Sequence, residues 1–293
     1  MTAIKVDGKA LAAERREALS TRVAELTAKH GRAPALTVIL VGEDPASQVY
    51  VRNKHKACEK TGITSEVLTL PDTTTSDELK AAVQRVNGAA DIDGLLVQLP
   101  VPDAIDPADV REWIDPMKDV DGLHPDNVGR LTSGVPRFVP CTPLGCLRML
   151  EKYDISTKGR RAVVLGRSLI VGRPMEVLLS TKGVDATVTV AHSRSEDLAA
   201  LCREAEILIA AAGQPQIVRK DWVKPGAAVI DVGMHRIDDP SHPKGARLAG
   251  DVHPEVAEVA GYLSPVPGGV GPMTIAMLLE NTVDSFERRV GRD

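Results

Sequence analysis

Ala35-Leu36-Thr37-Val38-Ile39-Leu40-Val41 is apolar except at Thr37, has the length of a strand and is rich in β-branched residues. Such a run suits a strand covered on both faces, as in a parallel sheet. Just beyond it, Asp44-Pro45 opens a helix over residues 46–62. The short side-chain oxygen of Asp44 can accept an orphan backbone N–H, Pro45 fits the first helical position, and Gly62 is a stop. Ile63 to Leu70 reads as a second strand. Thr75-Ser76-Asp77-Glu78 has the form of a capping box and starts a helix that runs to about Asn87. Gly94 to Leu99 is a third strand, and upstream, residues 9–30 place Leu19, Val23 and Leu26 at helical spacing. Strands alternating with helices predict an α/β domain with a mostly parallel sheet.

The chain has 293 residues, enough for two domains of ordinary size. Aromatic residues are only 2%, so the cores must rest on Val, Leu, Ile and Ala. A net charge of −4 without a basic block argues against nucleic acid as the main partner. The N-terminus lacks an apolar signal-peptide core and no run is long enough to span a bilayer, so a cytoplasmic protein with no membrane partner is expected. Cys58, Cys141, Cys146 and Cys202 match no common zinc spacing and read as reduced thiols; no metal site is expected.

Within the 46–62 helix, Tyr50 and Lys54 are four apart and share a face with Ala57, Cys58 and Thr61. A lysine on that small, apolar face either snorkels to water or sits in a cleft with a shifted pKa, and only the second is chemistry. Gln98 stands near the carboxyl end of the third strand, where open α/β sheets bind ligands. Its amide needs hydrogen-bond partners, in a site or in the next loop. Residues 115–142 are rich in Pro, Gly and Asp but carry Val120, Leu123, Val128 and Leu131, and so read as an ordered loop over a cleft. Asp121 is its best candidate for a ligand contact, although Asp119 and Asp121 both suit turns.

Pro143 to Tyr153 reads as a linking helix. The strand Arg161 to Leu165 then runs into Gly166-Arg167-Ser168-Leu169-Ile170-Val171-Gly172-Arg173-Pro174, the strand, glycine turn and helix start that cradle the phosphates of a dinucleotide. Ser168 replaces the second glycine of the common pattern. The next strand, Ala186 to Val190, ends in Ala191-His192-Ser193-Arg194-Ser195, without the acid that reads a ribose 2′-hydroxyl. A basic, hydroxyl-rich end beside Arg167 favours NADP over NAD. Strands at Glu206 to Ala210 and Ala227 to Val232 bring Gly213-Gln214-Pro215 and Asp231-Val232-Gly233-Met234 to the same crevice. Residues 237–249 look like a polar surface loop, and His235, His242 and His253 read as solvated loop histidines. Pro267-Gly268-Gly269 lies in a glycine-proline run over 264–274 that holds a carboxylate or a flat polar ring, or serves as a hinge. Pro272 then opens a final helix that could return to the first domain.

Several of these segments together resemble the bifunctional methylenetetrahydrofolate dehydrogenase/cyclohydrolase enzymes of folate one-carbon metabolism. They are Tyr50-Val-Arg-Asn-Lys54, Asp93-Gly-Leu-Leu-Val-Gln98-Leu-Pro, Lys118-Asp-Val-Asp121-Gly, Pro140-Cys-Thr-Pro, Gly166-Arg-Ser-x-x-Val-Gly-x-Pro174, Gly250-Asp-Val and Pro265-Val-Pro-Gly-Gly-Val-Gly-Pro-Met-Thr274. Ser264 stands where many members have Thr, which keeps the hydroxyl. The resemblance implies oxidation of 5,10-methylenetetrahydrofolate by NADP and hydrolysis of the methenyl product to 10-formyltetrahydrofolate. It implies Lys54 as the key catalytic residue, Gln98 as its hydrogen-bond partner, Tyr50 stacked on the folate rings and Asp121 on the pterin edge. Pro267, Gly268 and Gly269 would line the folate pocket. Gly166, Arg167 and Ser168 would hold the cofactor phosphates, with Ser193 near the 2′-phosphate and Val232 near the nicotinamide end. It further implies a homodimer. The expected architecture is two α/β domains flanking a cleft: a folate-binding domain of residues 1–139 plus 272–293, and a Rossmann-like NADP-binding domain of residues 140–271. The alternatives are a monofunctional NADP dehydrogenase and a dinucleotide-sensing protein without turnover.

Overall fold

The computed structural model describes residues 2–241 and 245–291. In chain order the first half comprises β1 (Ile4–Lys5), α1 (Gly8–His30), β2 (Ala35–Val41), α2 (Pro45–Thr61), β3 (Thr64–Leu70), α3 (Ser76–Gly88), β4 (Gly94–Gln98), α4 (Pro107–Trp113) and α5 (Pro125–Thr132). There follow α6 (Cys141–Lys152), β5 (Arg161–Leu165), α7 (Gly172–Ser180), β6 (Thr187–Ala191), α8 (Leu198–Arg203), β7 (Ile207–Ala210), β8 (Ala228–Asp231), β9 (His235–Asp238), β10 (Ala246–Ala249), β11 (Tyr262–Leu263) and α9 (Val270–Val290). The chain forms two compact units: Ala13–Cys141 with Ile275–Asp293, and Met1–Ala12 with Thr142–Thr274.

The first of these units is built on a parallel sheet in the order β3-β2-β4. All seven residues of the central strand β2 are buried, as its unalternating sequence requires. On one side Ile39 and Val41 pack with Leu95 and Val97 of β4 and with Leu79, Val83 and Val86 of α3. That helix starts on the full capping box, with Thr75 and Glu78 satisfying one another's backbone N–H groups. Its C-terminal end is closed by Lys118, whose Nζ donates to the carbonyls of Val86, Asn87 and Ala89 at 2.9, 2.7 and 2.6 Å. The stretch over 115–142 contains the helix α5, against the expectation of an unbroken loop. Pro125 takes its first turn and the His124 ring caps it.

Helix α9 supplies the C-terminal part of this unit. Ser285 Oγ donates to the carbonyls of Asp93 and Met117, and Arg15 forms an ion pair with Glu280. The fully buried Asp93 carboxylate gathers Arg32, Arg289 and the Ala35 N–H, so one acid joins β2, the start of β4 and α9.

The other unit has a six-stranded, wholly parallel sheet in the order β1-β11-β8-β7-β5-β6. Residues up to Ala12 belong here, which corrects their assignment to the first domain. The reason is the pairing of Ile4 and Lys5 with Tyr262 and Leu263, two-residue strands too short to show in the sequence. The chain leaves β5 toward β6 on one side and returns to β7 on the other, so the strand order reverses at the carboxyl ends of β5 and β7. The expected loop over 237–249 is instead framed by the antiparallel pair β9 and β10. The last helix begins at Val270, ahead of Pro272.

Replacing Asp93 by Ala leaves two arginines and an amide without their shared acceptor. The expected loss is about 3 kcal/mol or more, read as a lower urea midpoint; an unchanged midpoint would mean that Asp93 does not hold this unit together.

Candidate active site

Helix α2 starts and stops where its local chemistry directs. Asp44 Oδ2 accepts the Ser47 N–H at 2.7 Å, Pro45 fills the first turn, and Gly62 closes the helix at φ +79° with its N–H on the carbonyls of Cys58 and Glu59. That register turns Val51, Lys54, Ala57, Cys58 and Thr61 inward and leaves Tyr50 half-buried. Lys54 is only 8% exposed, so it does not snorkel. Its Nζ donates to Gln98 Oε1 at 2.9 Å. Gln98 Nε2 donates to the Leu99 carbonyl at 2.7 Å, which fixes the amide with its oxygen toward the lysine. Gln98 therefore serves both of its open readings: it ties down the chain after β4 and it meets Lys54. Burial lowers the Lys54 pKa, against the pull of Asp121 and two thiols toward the charged form. Burial also raises the Tyr50 phenol.

The loop that carries Asp121 is anchored around Asp119. Asp119 is buried and its Oδ2 accepts the His124 N–H and Asn127 Nδ2, both at 2.8 Å, so it is the structural acid of the pair. Asp121 is partly exposed. Gly122 next to it adopts φ +73°, and a Cβ there would lie 2.9 Å from Pro140 N. The Val120 carbonyl accepts from Asn281 Nδ2 at 2.8 Å and from the Cys141 thiol at 3.3 Å. Asn281 also holds the Val139 carbonyl at 3.0 Å. All four cysteines are buried and free; burial, with the Asp121 carboxylate nearby, pushes the Cys141 thiol well up.

In the other unit, the turn after β5 is as tight as its glycines suggest. A Cβ on Gly166 (φ +124°) would lie 2.0 Å from the Ala211 carbonyl oxygen, and one on Gly172 would lie 2.2 Å from the Gly166 carbonyl oxygen. Ser168 is more than a substitute for glycine: its Oγ accepts the N–H groups of Val171 and Gly172 at 3.1 and 3.4 Å, just ahead of and at the start of α7. Arg167 is exposed, and so is Ser193 at the end of β6. No acid occurs among residues 191–195; the Ser195 hydroxyl accepts the His192 N–H at 3.1 Å and folds that corner.

Val232 leaves β8 half-buried. Pro267 is exposed, Gly268 takes φ +107°, and Gly269 is buried with no room for a Cβ beside the Pro265 carbonyl. The Lys9 N–H donates to the Gly268 carbonyl at 2.8 Å. His235 departs from the solvated reading: it sits on β9 with Nε2 2.7 Å from the fully buried Asp251. His253 caps a short 3-10 turn through the Glu255 N–H, and His242 lies outside the described residues. Among the described residues no group of three or more His, Cys, Asp or Glu could hold a metal ion.

The sequence-identified residues thus fall into two sets. Tyr50, Lys54, Gln98 and Asp121 stand in the unit of Ala13–Cys141; Gly166, Arg167, Ser168, Ser193, Val232, Pro267, Gly268 and Gly269 stand in the other. Comparison with known proteins divides the chain similarly. Residues 6–121 match the family described as tetrahydrofolate dehydrogenase/cyclohydrolase, catalytic domain, and residues 140–290 match its NAD(P)-binding domain. The bifunctional protein FolD of Nitratidesulfovibrio vulgaris (strain Miyazaki F) is 53% identical over 289 residues, which are 98% of each chain.

The chain belongs to the tetrahydrofolate dehydrogenase/cyclohydrolase family.

Two solved structures extend the comparison. The bifunctional FolD enzyme of Campylobacter jejuni has 46% identity and a TM-score of 0.92, covering 98% of this chain and 99% of that one. The Trypanosoma brucei enzyme, solved with NADP and an inhibitor, has 42% identity and a TM-score of 0.94 over 99% of both chains. The turn reading of Asp119 holds, and sequence reasoning missed Asn281 and Cys141 as further residues that hold the Asp121 loop. Asn281 had a signal, since a buried amide on an otherwise apolar helix stripe needs a partner. It also missed Asp231 and Asp251 beneath the second set.

Gly166→Ala drives a methyl group into the Ala211 carbonyl. NADP affinity, measured by equilibrium dialysis, should fall about tenfold or more, equivalent to ~1.4 kcal/mol. Undiminished affinity would mean that the cofactor does not approach this turn.

Proposed function

We propose that this chain oxidises 5,10-methylenetetrahydrofolate to the methenyl form with NADP and hydrolyses that product to 10-formyltetrahydrofolate. The observation that carries the reading is the buried Lys54 amine held by Gln98 at 2.9 Å. Hydration of the methenyl cation needs a group that takes a proton from water as the C–O bond forms and returns one to the leaving ring nitrogen. A lysine whose pKa is lowered by burial serves in its neutral form, and the fixed Gln98 oxygen orients it. In this reading Asp121 accepts hydrogen bonds from the pterin edge and steadies the protonated lysine. Half-buried Tyr50 offers a ring face to the folate, and in the other unit Pro267, Gly268 and Gly269 are the candidate folate contacts.

The glycine turn at Gly166, the exposed Arg167 and the acid-free corner around Ser193 fit a 2′-phosphorylated dinucleotide. NADP would supply the hydride acceptor when bound, and Val232 is the residue that would flank its nicotinamide end. No protein acid or base is required for that step, because the substrate's amine nitrogen expels the hydride; this chain's contribution is placement. No described helix is long and apolar enough to cross a membrane. A cytoplasmic homodimer completes the proposal, and sedimentation of the purified protein tests the dimer.

The test follows methenyl absorbance after 5,10-methylenetetrahydrofolate is mixed with enzyme and NADP, or with NAD. Formation with NADP followed by decay faster than the enzyme-free rate is expected. Formation without accelerated decay would leave a dehydrogenase only; no formation would leave a dinucleotide-sensing protein. Lys54→Met should cut hydrolysis by about 10²-fold or more; wild-type hydrolysis in that variant would remove Lys54 from the chemistry. Because the working form is neutral and the pKa is lowered, the rising limb of hydrolysis against pH should centre below the ordinary lysine value of 10.5. Asp121→Asn removes a charge that holds the proton on, so at saturating substrate the limb should move to lower pH. A limb that stays or moves upward would contradict the coupling.

A further inference from the structure

Two buried carboxylates lie beneath the loops that follow β7 and β8, and no step described above uses them. Asp231, at the last position of β8, is 3% exposed, and Asp251, two residues beyond β10, is fully buried. Asp231 Oδ1 accepts the N–H groups of Asp251 and Gly233 at 2.9 and 3.0 Å, and its Oδ2 accepts Val252 N–H at 3.0 Å. Asp251 is thereby fixed from behind. Its own two oxygens reach forward, Oδ2 to the Gly213 N–H at 3.0 Å and Oδ1 to His235 Nε2 at 2.7 Å. The packing leaves no slack. A Cβ on Gly250 would lie 1.8 Å from Asp231 Oδ2, and one on Gly233 would lie 2.3 Å from Asp251 Oδ1.

The place of this cluster in the sheet gives it a use. In a doubly wound sheet the pyrophosphate sits at the turn after the strand at the reversal point, here β5. The β6 side then takes the adenosine end, and the β7 and β8 side takes the other end. Gly213 follows β7, while Val232 and Gly233 follow β8. Asp251 bonds the β7 loop and the strand after the β8 loop at the same time. A hydride transfer that uses no protein acid or base depends steeply on the relative placement of the two bound molecules.

We propose that Asp251 is the positioning residue for the nicotinamide end of the cofactor pocket, holding the Gly213 and Val232–His235 loops in register through Gly213 N–H and His235. The proposal rests on the NADP reading above. It separates placement from affinity, because the turn at Gly166 and the corner at Ser193 hold the other end of the dinucleotide.

The experiment uses the full-length enzyme. Asp251→Asn should lower the NADP-saturated dehydrogenase kcat by about tenfold. NADP affinity by equilibrium dialysis should stay within about threefold, because most of the dinucleotide is bound elsewhere. Hydrolysis of supplied 5,10-methenyltetrahydrofolate, which needs no cofactor, should be unchanged. An unchanged kcat, an affinity loss that matches the kcat loss, or a parallel loss of hydrolysis would overturn the proposal. His235, half-buried on β9, gives a second route if the Asp251 variant does not fold. His235→Ala should lower kcat severalfold, and His235→Gln, which returns an amide nitrogen at the same reach, should restore most of it. No loss in the first, or no recovery in the second, overturns the proposal as well. A wild-type enzyme that fails to reduce NADP with 5,10-methylenetetrahydrofolate sinks the functional reading itself, and that result is in hand before any variant is made.

Discussion

Taking a lysine amine out of water costs several kcal/mol unless the protein offers it partners, and the charge is the first thing a buried lysine gives up. Much of the unit around β2 can be read as the apparatus that makes one such burial tolerable. Helix α2 is fixed at both ends by its caps, so Lys54 cannot rotate away. Gln98 arrives from the end of β4 with its amide already committed to Leu99, so its oxygen stays aimed at the amine. Asp121 is held close enough to act on Lys54 by a loop that Asp119, Asn127 and Asn281 tie to the body of the unit. Removing any of these supports loosens the group on which the proposed hydrolysis rests.

The other unit answers a different constraint. There the difficulty is bringing backbone close to backbone, and glycine is the device. At Gly166, Gly172, Gly233 and Gly250 the neighbours stand where a side chain would begin. The amides exposed by that closeness are taken up by side chains: exposed Ser168 accepts those of Val171 and Gly172, and buried Asp231 and Asp251 collect the N–H groups that follow β7, β8 and β10. Burial and the neighbouring Asp251 charge raise the Asp231 pKa to about 7, while three backbone donors hold it down. The loops there are tied down by the hydrogen bonds of two buried acids, Asp231 and Asp251.

What the sequence made legible is what local chemistry determines. The caps of α2, the capping box of α3 and the buried run of β2 each depend on residues within a few positions of one another. Gln98 and Lys54 were legible as polar groups in apolar settings, which demand partners. The contacts that were hidden join distant residues. Asn281 meets a carbonyl 161 positions away, and β1 pairs with a strand more than 250 residues later. Two residues carry too little pattern to announce a strand. Helix α5 was overlooked for a different reason: Pro125 is a good helix start, but the density of Pro, Gly and Asp around it reads as loop. His235 was misread because its partner, Asp251, lies across the β9–β10 hairpin and shows no spacing signal.

The sheet order has a consequence for how the protein is made. Strand β11 lies between β8 and β1, so residues at the very start of the chain have no place in the sheet until Tyr262 and Leu263 exist. The unit around β2 likewise waits for Asn281, Ser285 and Arg289 of α9. A ribosome that has released the first two hundred residues has therefore emitted neither unit in finished form. Domains usually complete themselves in turn as they emerge; here both are closed by residues between Tyr262 and Arg289, and the nascent chain must keep its unfinished sheet edges from pairing with other chains until that stretch has emerged.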